Sequence, residues 1–240
     1  MLDLYIHAAT EAAAKAALPA LLDAEGNWCL GSHRWCFDPV GAVVDTPASF
    51  DAAGNLLAAA TFLPGWHGNL RLLDVQINPG DTTLPHTHDS AILYTFISNG
   101  EGPLNGRVSS ITTYVQEQYT HRVNNPGPGL FRIIALANYG PAVMAVDAGQ
   151  IDLSPQLENE WFRSYRLELA PGQSSASYLH TNPVAIVQVS DGVLHVSRGD
   201  GITHELKAMG DWAWREAGVS YQIHNRSNQS VSVVINEGKR

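Results

Sequence analysis

The strongest constraint on the fold is an internal repeat. Laid on itself at an offset of 92 residues, the chain of 240 residues places Arg71, Pro79, Gly80, His88, Ser98 and Gly100 on Arg163, Pro171, Gly172, His180, Ser190 and Gly192 without a gap. Further along, an offset of 100 places Asn125 on Asn225, and Phe131, Ile133 and Ile134 on Val231, Val233 and Val234, so the second copy carries eight extra residues between its two parts. Self-similarity of this kind means one supersecondary design used twice, and it limits the fold to architectures that can be built in two equal pieces.

Each piece is made of strands. Val75 and Ile77, and their counterparts Leu167 and Leu169, alternate with polar neighbours as half-buried strands do, and a Pro-Gly turn follows each pair. Asn99-Gly100 and Asp191-Gly192 each follow an apolar run and are read as tight hairpins, because positive φ costs little for Asn, Asp and Gly. Short strands with turn signals at roughly ten-residue spacing predict a sandwich or barrel. Residues 1–70 differ in texture. Leu4-Tyr5-Ile6 is expected as a strand, and Glu11 to Leu18 as a helix capped by Thr10 and ended by Pro19. Short strands broken by Gly and Pro follow, so this part is expected to be a small α+β segment.

Charge narrows the partners. With 14 basic and 23 acidic side chains the formal charge is −9, and no window gathers the Lys/Arg cluster of a nucleic-acid groove. No apolar run approaches the ~18 residues of a membrane span. The expected partners are therefore a small-molecule ligand, no nucleic acid and no membrane, with a homodimer as the candidate assembly. The N-terminus lacks a basic leader pattern and only Cys29 and Cys36 occur, which points to the cytoplasm.

His86 and His88 stand two apart on a predicted strand, so both imidazoles project from one face, and His121 on a later strand can complete a coordination face. Imidazole suits Zn, Fe, Ni, Cu and, less well, Mn, so the spacing leaves the metal open. In the second copy Tyr178 and Tyr221 stand where the first has His86 and His121, leaving His180. A phenol with a pKa near ~10 is a poor ligand, and no metal is expected there. Tyr178, His180, Gln188 and Tyr221 either line a small polar pocket or belong to a barrel kept for packing. Cys29, His33 and Cys36 are an incomplete zinc clip and are expected as buried thiols with an exposed His. Trp161, Phe162, Trp212 and Trp214 are expected as core or interface aromatics, and Gly127-Pro128-Gly129 as a turn.

Together these residues carry a family resemblance. Pro79-Gly80, five residues, His86-Thr87-His88, a strand and Asn99-Gly100, then Tyr119-Thr120-His121 with Asn125, resemble the two motifs of the cupin superfamily, G-x5-H-x-H-x3,4-E-x6-G and a stretch ending H-x3-N. The second copy, with Gly210-Asp211 and Asn225, resembles a cupin too. The resemblance covers residues 71–240 and implies a mainly β protein: two tandem cupin-type antiparallel β-barrels (double-stranded β-helix, or jelly roll) preceded by a small α+β N-terminal segment. The expected division is 1–70, 71–147 with the metal site, and 148–240 as a degenerate barrel. Within the first segment, Leu4-Tyr5-Ile6, Glu25-Gly26-Asn27-Trp28 and the stretch from Trp66 to Arg71 resemble short proteins of phage and prophage tail regions.

The resemblance implies a divalent transition metal (Fe, Mn, Ni or Zn) held by His86, His88 and His121. The chain departs from the pattern where cupins usually carry a Glu ligand: Ile92 and Leu93 stand there. Asp89 is expected on the opposite strand face, and the direction of Glu117 is open. A neutral three-His centre resembles those of thiol and diketone dioxygenases among cupins, which implies an oxidoreductase acting on a small anionic molecule; the same geometry would also activate a zinc-bound water for hydrolysis. Tyr94 and Tyr119 are candidate catalytic donors beside the ion, their direction left open by strand parity. Leu93→Glu is expected to fill a coordination position. The alternative is a non-catalytic small-ligand-binding or scaffold cupin whose metal site is vestigial or structural.

Overall fold

Alternation along the strands decides which side of each sheet meets which core. The computed structural model describes Ala16, 43–46, 49–50, 56–58, 61–63, 66–67 and 69–240, apart from 84 and 145–146. Ala16 aside, the expected strand at Leu4, the helix from Glu11 to Leu18 and the Cys29, His33 and Cys36 group lie outside the described residues, as does most of the segment likened to phage proteins. Ahead of the repeat, β1 (Val43–Thr46) pairs with β4 (Thr61–Leu63), and β2 (Ser49–Phe50) with β3 (Leu56–Ala58).

The first half consists of β5 (Trp66–His67), β6 (Leu70–Ile77), β7 (His86–His88), β8 (Ala91–Asn99), β9 (Pro103–Ile111), a 3-10 turn (Thr113–Val115), β10 (Tyr119–His121) and β11 (Phe131–Asn138). The second half consists of β12 (Gly149–Gln150), β13 (Pro155–Glu158), β14 (Phe162–Leu169), β15 (Leu179–His180), β16 (Val184–Gln188), β17 (Leu194–Arg198), β18 (Thr203–Leu206), β19 (Trp212–Arg215), β20 (Tyr221–Asn225) and β21 (Val231–Gly238). Each half has a five-stranded antiparallel sheet, in the orders β5-β6-β11-β8-β9 and β13-β14-β21-β16-β19. The repeat offsets carry β6 onto β14, β8 onto β16 and β11 onto β21, so the central three strands of both sheets have one order. The first half adds the pair β7-β10; the second adds β18-β17-β20 and β12-β15.

One face of each five-stranded sheet is turned to the other. Leu70, Leu72, Ala91, Leu93, Ile97, Ile134 and Leu136 bury themselves with Trp161, Phe162, Ala185, Val187, Val189, Trp214 and Val234, and Trp212 packs against them half-buried. Across this contact the amide of Asn236 donates to Thr95 Oγ1 at 2.7 Å. The remaining faces look into the two interiors, which differ. Fourteen fully buried residues fill the second. Among the described residues the first has four buried apolar side chains, Ile92, Ile133, Ala135 and Ala137, and Leu73, Tyr94, Phe96, Ile111, Tyr114 and Phe131 pack there half-buried. The first interior is therefore the accessible one.

The repeated Gly and Asn residues pin loops. Asn125 is buried and donates to Ile77 O and Gly129 O, while its Oδ1 accepts from Gly127 N. Gly100, at φ +86°, packs so closely that a Cβ there would collide with the Asn125 amide. Asn225 repeats the device on Leu169 O, Ala170 O and Gln229 O.

One turn differs from expectation. Asn99-Gly100 joins β8 directly to its partner β9, with Ser98 opposite Pro103. Asp191-Gly192 makes no such hairpin. There β16 pairs with β19, and β17 crosses to pair with β18 and β20. The eight extra residues supply the additional chain that lets β19 take the edge beside β16, so β17 is not needed there.

Candidate metal centre

Strands β7 and β10 run antiparallel with His121 opposite His86 and Tyr119 opposite His88. The period of two puts His86, His88, Tyr119 and His121 on one face. Thr87 and Thr120 take the other, exposed face, where their hydroxyls bond at 2.8 Å. The three imidazoles converge: one ring nitrogen from each lies within 4.8 Å of the others, and His88 Nε2 stands 3.0 Å from His121 Nε2. His86 Nδ1 lies 3.4 Å from the buried hydroxyl of Thr83, which also accepts from Val123 N at 2.9 Å. Thr83 thus orients the His86 ring from behind, as partners of metal-binding imidazoles do. Sequence reasoning missed it, because a Thr three residues ahead of a His is no signal by itself.

The donor set fits a divalent transition metal. Neutral imidazoles on one face, close enough to share an ion, are borderline ligands that leave further positions open. Electrostatics favour the neutral form of two of them. Burial, then the neighbouring His86 and His121, bring the His88 pKa down to about 4, and burial followed by His86 also lowers His121. In the unfolded chain an imidazole titrates near ~6.5, so the unfolded state binds more protons between that pH and about 4, and folding loses stability as pH falls through this window. The metal-stripped protein should therefore show a urea midpoint that declines from about pH 6.5 toward 4.5, above the range in which carboxylates act. Saturation with Zn2+ should delay the decline. A flat midpoint across the window would contradict the neutral cluster.

Aromatic rings frame the cluster. Tyr114, from the 3-10 turn, stacks on His88 at 5.3 Å and on Tyr119 at 5.5 Å, and Tyr119 returns to His121 at 5.0 Å. Of the two tyrosines singled out from the sequence, Tyr119 is 48% exposed at the mouth. Tyr94 projects from β8 into the same half-buried apolar group as Tyr114, and burial raises its pKa well above the usual phenol range, so its hydroxyl keeps its proton. Tyr114 itself was not anticipated; it lies in a segment with no counterpart in the repeat.

The missing carboxylate divides into two positions with different surroundings. Ile92 lies on the inner face, with Ala137 and Ile111 as its cross-strand neighbours. Leu93 faces away and is fully buried between the two sheets. The expectation that Leu93→Glu fills a coordination position is therefore wrong, because successive strand residues point to opposite faces. Asp89 and Glu117 are exposed, and neither belongs to the cluster.

In the second half the equivalent residues form a closed network. His180 Nε2 lies 2.9 Å from the Tyr221 hydroxyl, and its Nδ1 3.3 Å from Glu237 Oε2. Glu237 is wholly buried and also accepts from Asn182 at 2.7 Å and from Arg163 at 3.4 Å. A carboxylate cannot donate, so the His180 proton sits on Nδ1 and Nε2 accepts from Tyr221. Burial pushes the Tyr178 phenol up to about 12 and Tyr221 well above its ordinary value, which keeps both unfit as ligands. Gln188 does not join them: its amide donates to Ser190 O and Gly192 O in the turn. Among the described residues the cluster able to hold a metal is that of His86, His88 and His121. No helix among them is long and apolar enough to cross a membrane.

No family model matches the sequence. The β-alanine degradation protein BauB of Pseudomonas aeruginosa is 28% identical over 95 residues, which span 40% of this chain and 94% of that protein. Among solved structures, AerE from Microcystis aeruginosa superposes with a TM-score of 0.51 at 14% identity, over 72% of this chain and 89% of its own. A cupin domain from Bordetella pertussis is 22% identical over 40% of this chain and 100% of its own, with a TM-score of 0.33. The antiparallel sheets and their shared order make this a jelly-roll type of fold, similar to that of AerE.

Proposed function

We propose that the chain is a two-barrel cupin, divided near 71–147 and 148–240 behind an N-terminal segment, and that its first barrel is a metal-dependent dioxygenase centre for a small anionic molecule. One observation carries this reading: three imidazoles converge on an accessible interior with no carboxylate among them. A divalent ion held by His86, His88 and His121 would keep its full positive charge, act as a Lewis acid and, if iron, bring an anionic substrate and dioxygen together. The chain's own groups do the rest. Thr83 holds the His86 ring, Ile92, Ile133 and Ala135 keep water from one wall, and Tyr94 offers a hydroxyl that stays protonated. Tyr119 stands at the mouth, where it can meet an entering ligand. BauB, by its name, serves the breakdown of β-alanine, a small molecule bearing a carboxylate, which supports a ligand of that kind.

The test is oxygen uptake by iron-loaded protein offered a panel of small carboxylates, thiols and diketones in labelled dioxygen. The expected result is a product carrying both oxygen atoms, and a loss of about a hundredfold or more in rate for His86→Ala. Ligand binding without uptake for any member of the panel would favour the non-catalytic binding protein instead.

A further inference from the structure

The two halves can be read as two states of one site. Glu237 of the second half stands, by the repeat, where the first half has Ala137. Its carboxylate is held by Arg163 on the neighbouring strand, by Asn182 and by His180 Nδ1. The first half keeps the receivers. Arg71 takes the place of Arg163, Ser90 that of Asn182 and His88 that of His180. Arg71 lies opposite Ala137, as Arg163 lies opposite Glu237, and Ile92 flanks Ala137 as Val184 flanks Glu237. Along β6, Leu70 and Leu72 face the core between the sheets, so Arg71 stands on the same side as Leu73, toward the interior.

Volume changes in the same sense. Around His88 the first half has Leu73 for Tyr165, Ser90 for Asn182, Ala135 for Ile235 and Ala137 for Glu237, each the smaller of its pair, against one added methylene where Ile92 stands for Val184. The exchange reverses farther along, where Tyr94 stands for Ile186, Phe96 for Gln188 and Phe131 for Val231. The reduction is therefore local to the Arg71 end. His88 uses Nε2 toward His121 as His180 uses Nε2 toward Tyr221, which leaves Nδ1 of His88 for the side that Glu237 occupies in the other half.

We propose that the position beside Ala137, between Arg71, Ser90 and His88, is a carboxylate subsite that receives the ligand's carboxylate as Arg163, Asn182 and His180 receive that of Glu237. This names the binding end of the small anionic molecule and rests on the reading of the first barrel given above. A guanidinium can serve here while bonded elsewhere: Arg163 donates to Glu158 and Glu237 at once. The ligand class is a carboxylic acid whose other end reaches toward the three histidines. An amide or ester of the same shape lacks the charge that makes such hydrogen bonds strong.

Propanoate and its neutral isostere propanamide are the probes, titrated by calorimetry into zinc-loaded and metal-stripped protein, with zinc content measured on the same samples. In stripped protein, where no ion can ligate the acid, propanoate should bind at least about tenfold more tightly than propanamide. Ala137→Glu, which installs the second half's own carboxylate, should weaken propanoate at least about tenfold while zinc still binds at one per chain. Arg71→Gln should weaken it likewise, and Arg71→Lys should recover part of the loss. Equal affinities for acid and amide in the wild type, or propanoate binding untouched by Ala137→Glu, would overturn the subsite. Wild type that takes up no zinc counts against the three-histidine reading alone, since the propanoate comparison in stripped protein stands apart from it.

Discussion

Leu93→Glu should unfold the protein. Leu93 is fully buried between the two five-stranded sheets, packed among Leu70, Leu136, Ala185 and Trp214. A carboxylate there has no cation within the apolar contact, and burying an unpaired charge together with the loss of a Leu side chain costs more than about 4 kcal/mol. That is a large part of the roughly 5–15 kcal/mol by which a domain is stable. Ile92→Glu, one residue earlier, should behave otherwise. Its side chain enters the first interior beside Ala137, where a metal ion and Arg71 can pair with it. The expected result is a protein that folds with Zn2+ present and binds the ion at least about tenfold more tightly than wild type, as added ligand charge does in metal sites. Urea titrations of both variants, with and without Zn2+, check this. A stable Leu93→Glu protein, or an Ile92→Glu protein indifferent to zinc, would contradict the assigned strand faces.

The contrast between these two positions shows what could be read in the amino-acid sequence and what could not. The repeat from Arg71 to Gly100 marks the strands, and the period of two alone puts His86 and His88 on one face. Spacing alone could not say on which face the residue after His88-Asp89-Ser90-Ala91 lies, because β7 ends at His88 and β8 starts at Ala91, and parity need not carry from one strand to the next. Here it does, with His88, Ile92 and Tyr94 on one side. Asp191-Gly192 misled because a turn dipeptide reports a local conformation and not which strand will pair: β16 takes β19 as its partner and β17 takes β18. Glu237, Arg163 and Asn182 were invisible as a network, since their meeting depends on two strands, β14 and β21, and on the bend before β16. Their counterparts Ala137, Arg71 and Ser90 acquire meaning only when the two halves are laid over each other.

The loss of the metal is the second large effect. An ion that binds only the folded cluster needs all three imidazoles, because two neutral ligands leave it to compete with water at most of its positions. His86 and His121 face each other across β7 and β10, and His88 Nε2 meets His121 Nε2, so no one of the three can be removed without opening the set. In the second half Tyr221 and Glu237 saturate His180, which leaves no lone pair for an ion. The direct measurement is elemental analysis of protein purified without a His tag and supplemented with Fe, Mn, Ni or Zn. The account predicts about one equivalent per chain in the wild type and in His180→Ala, and less than about a tenth in His86→Ala and His121→Ala. Less than about a tenth of an equivalent in the supplemented wild type, or a full equivalent retained by His86→Ala, would contradict it.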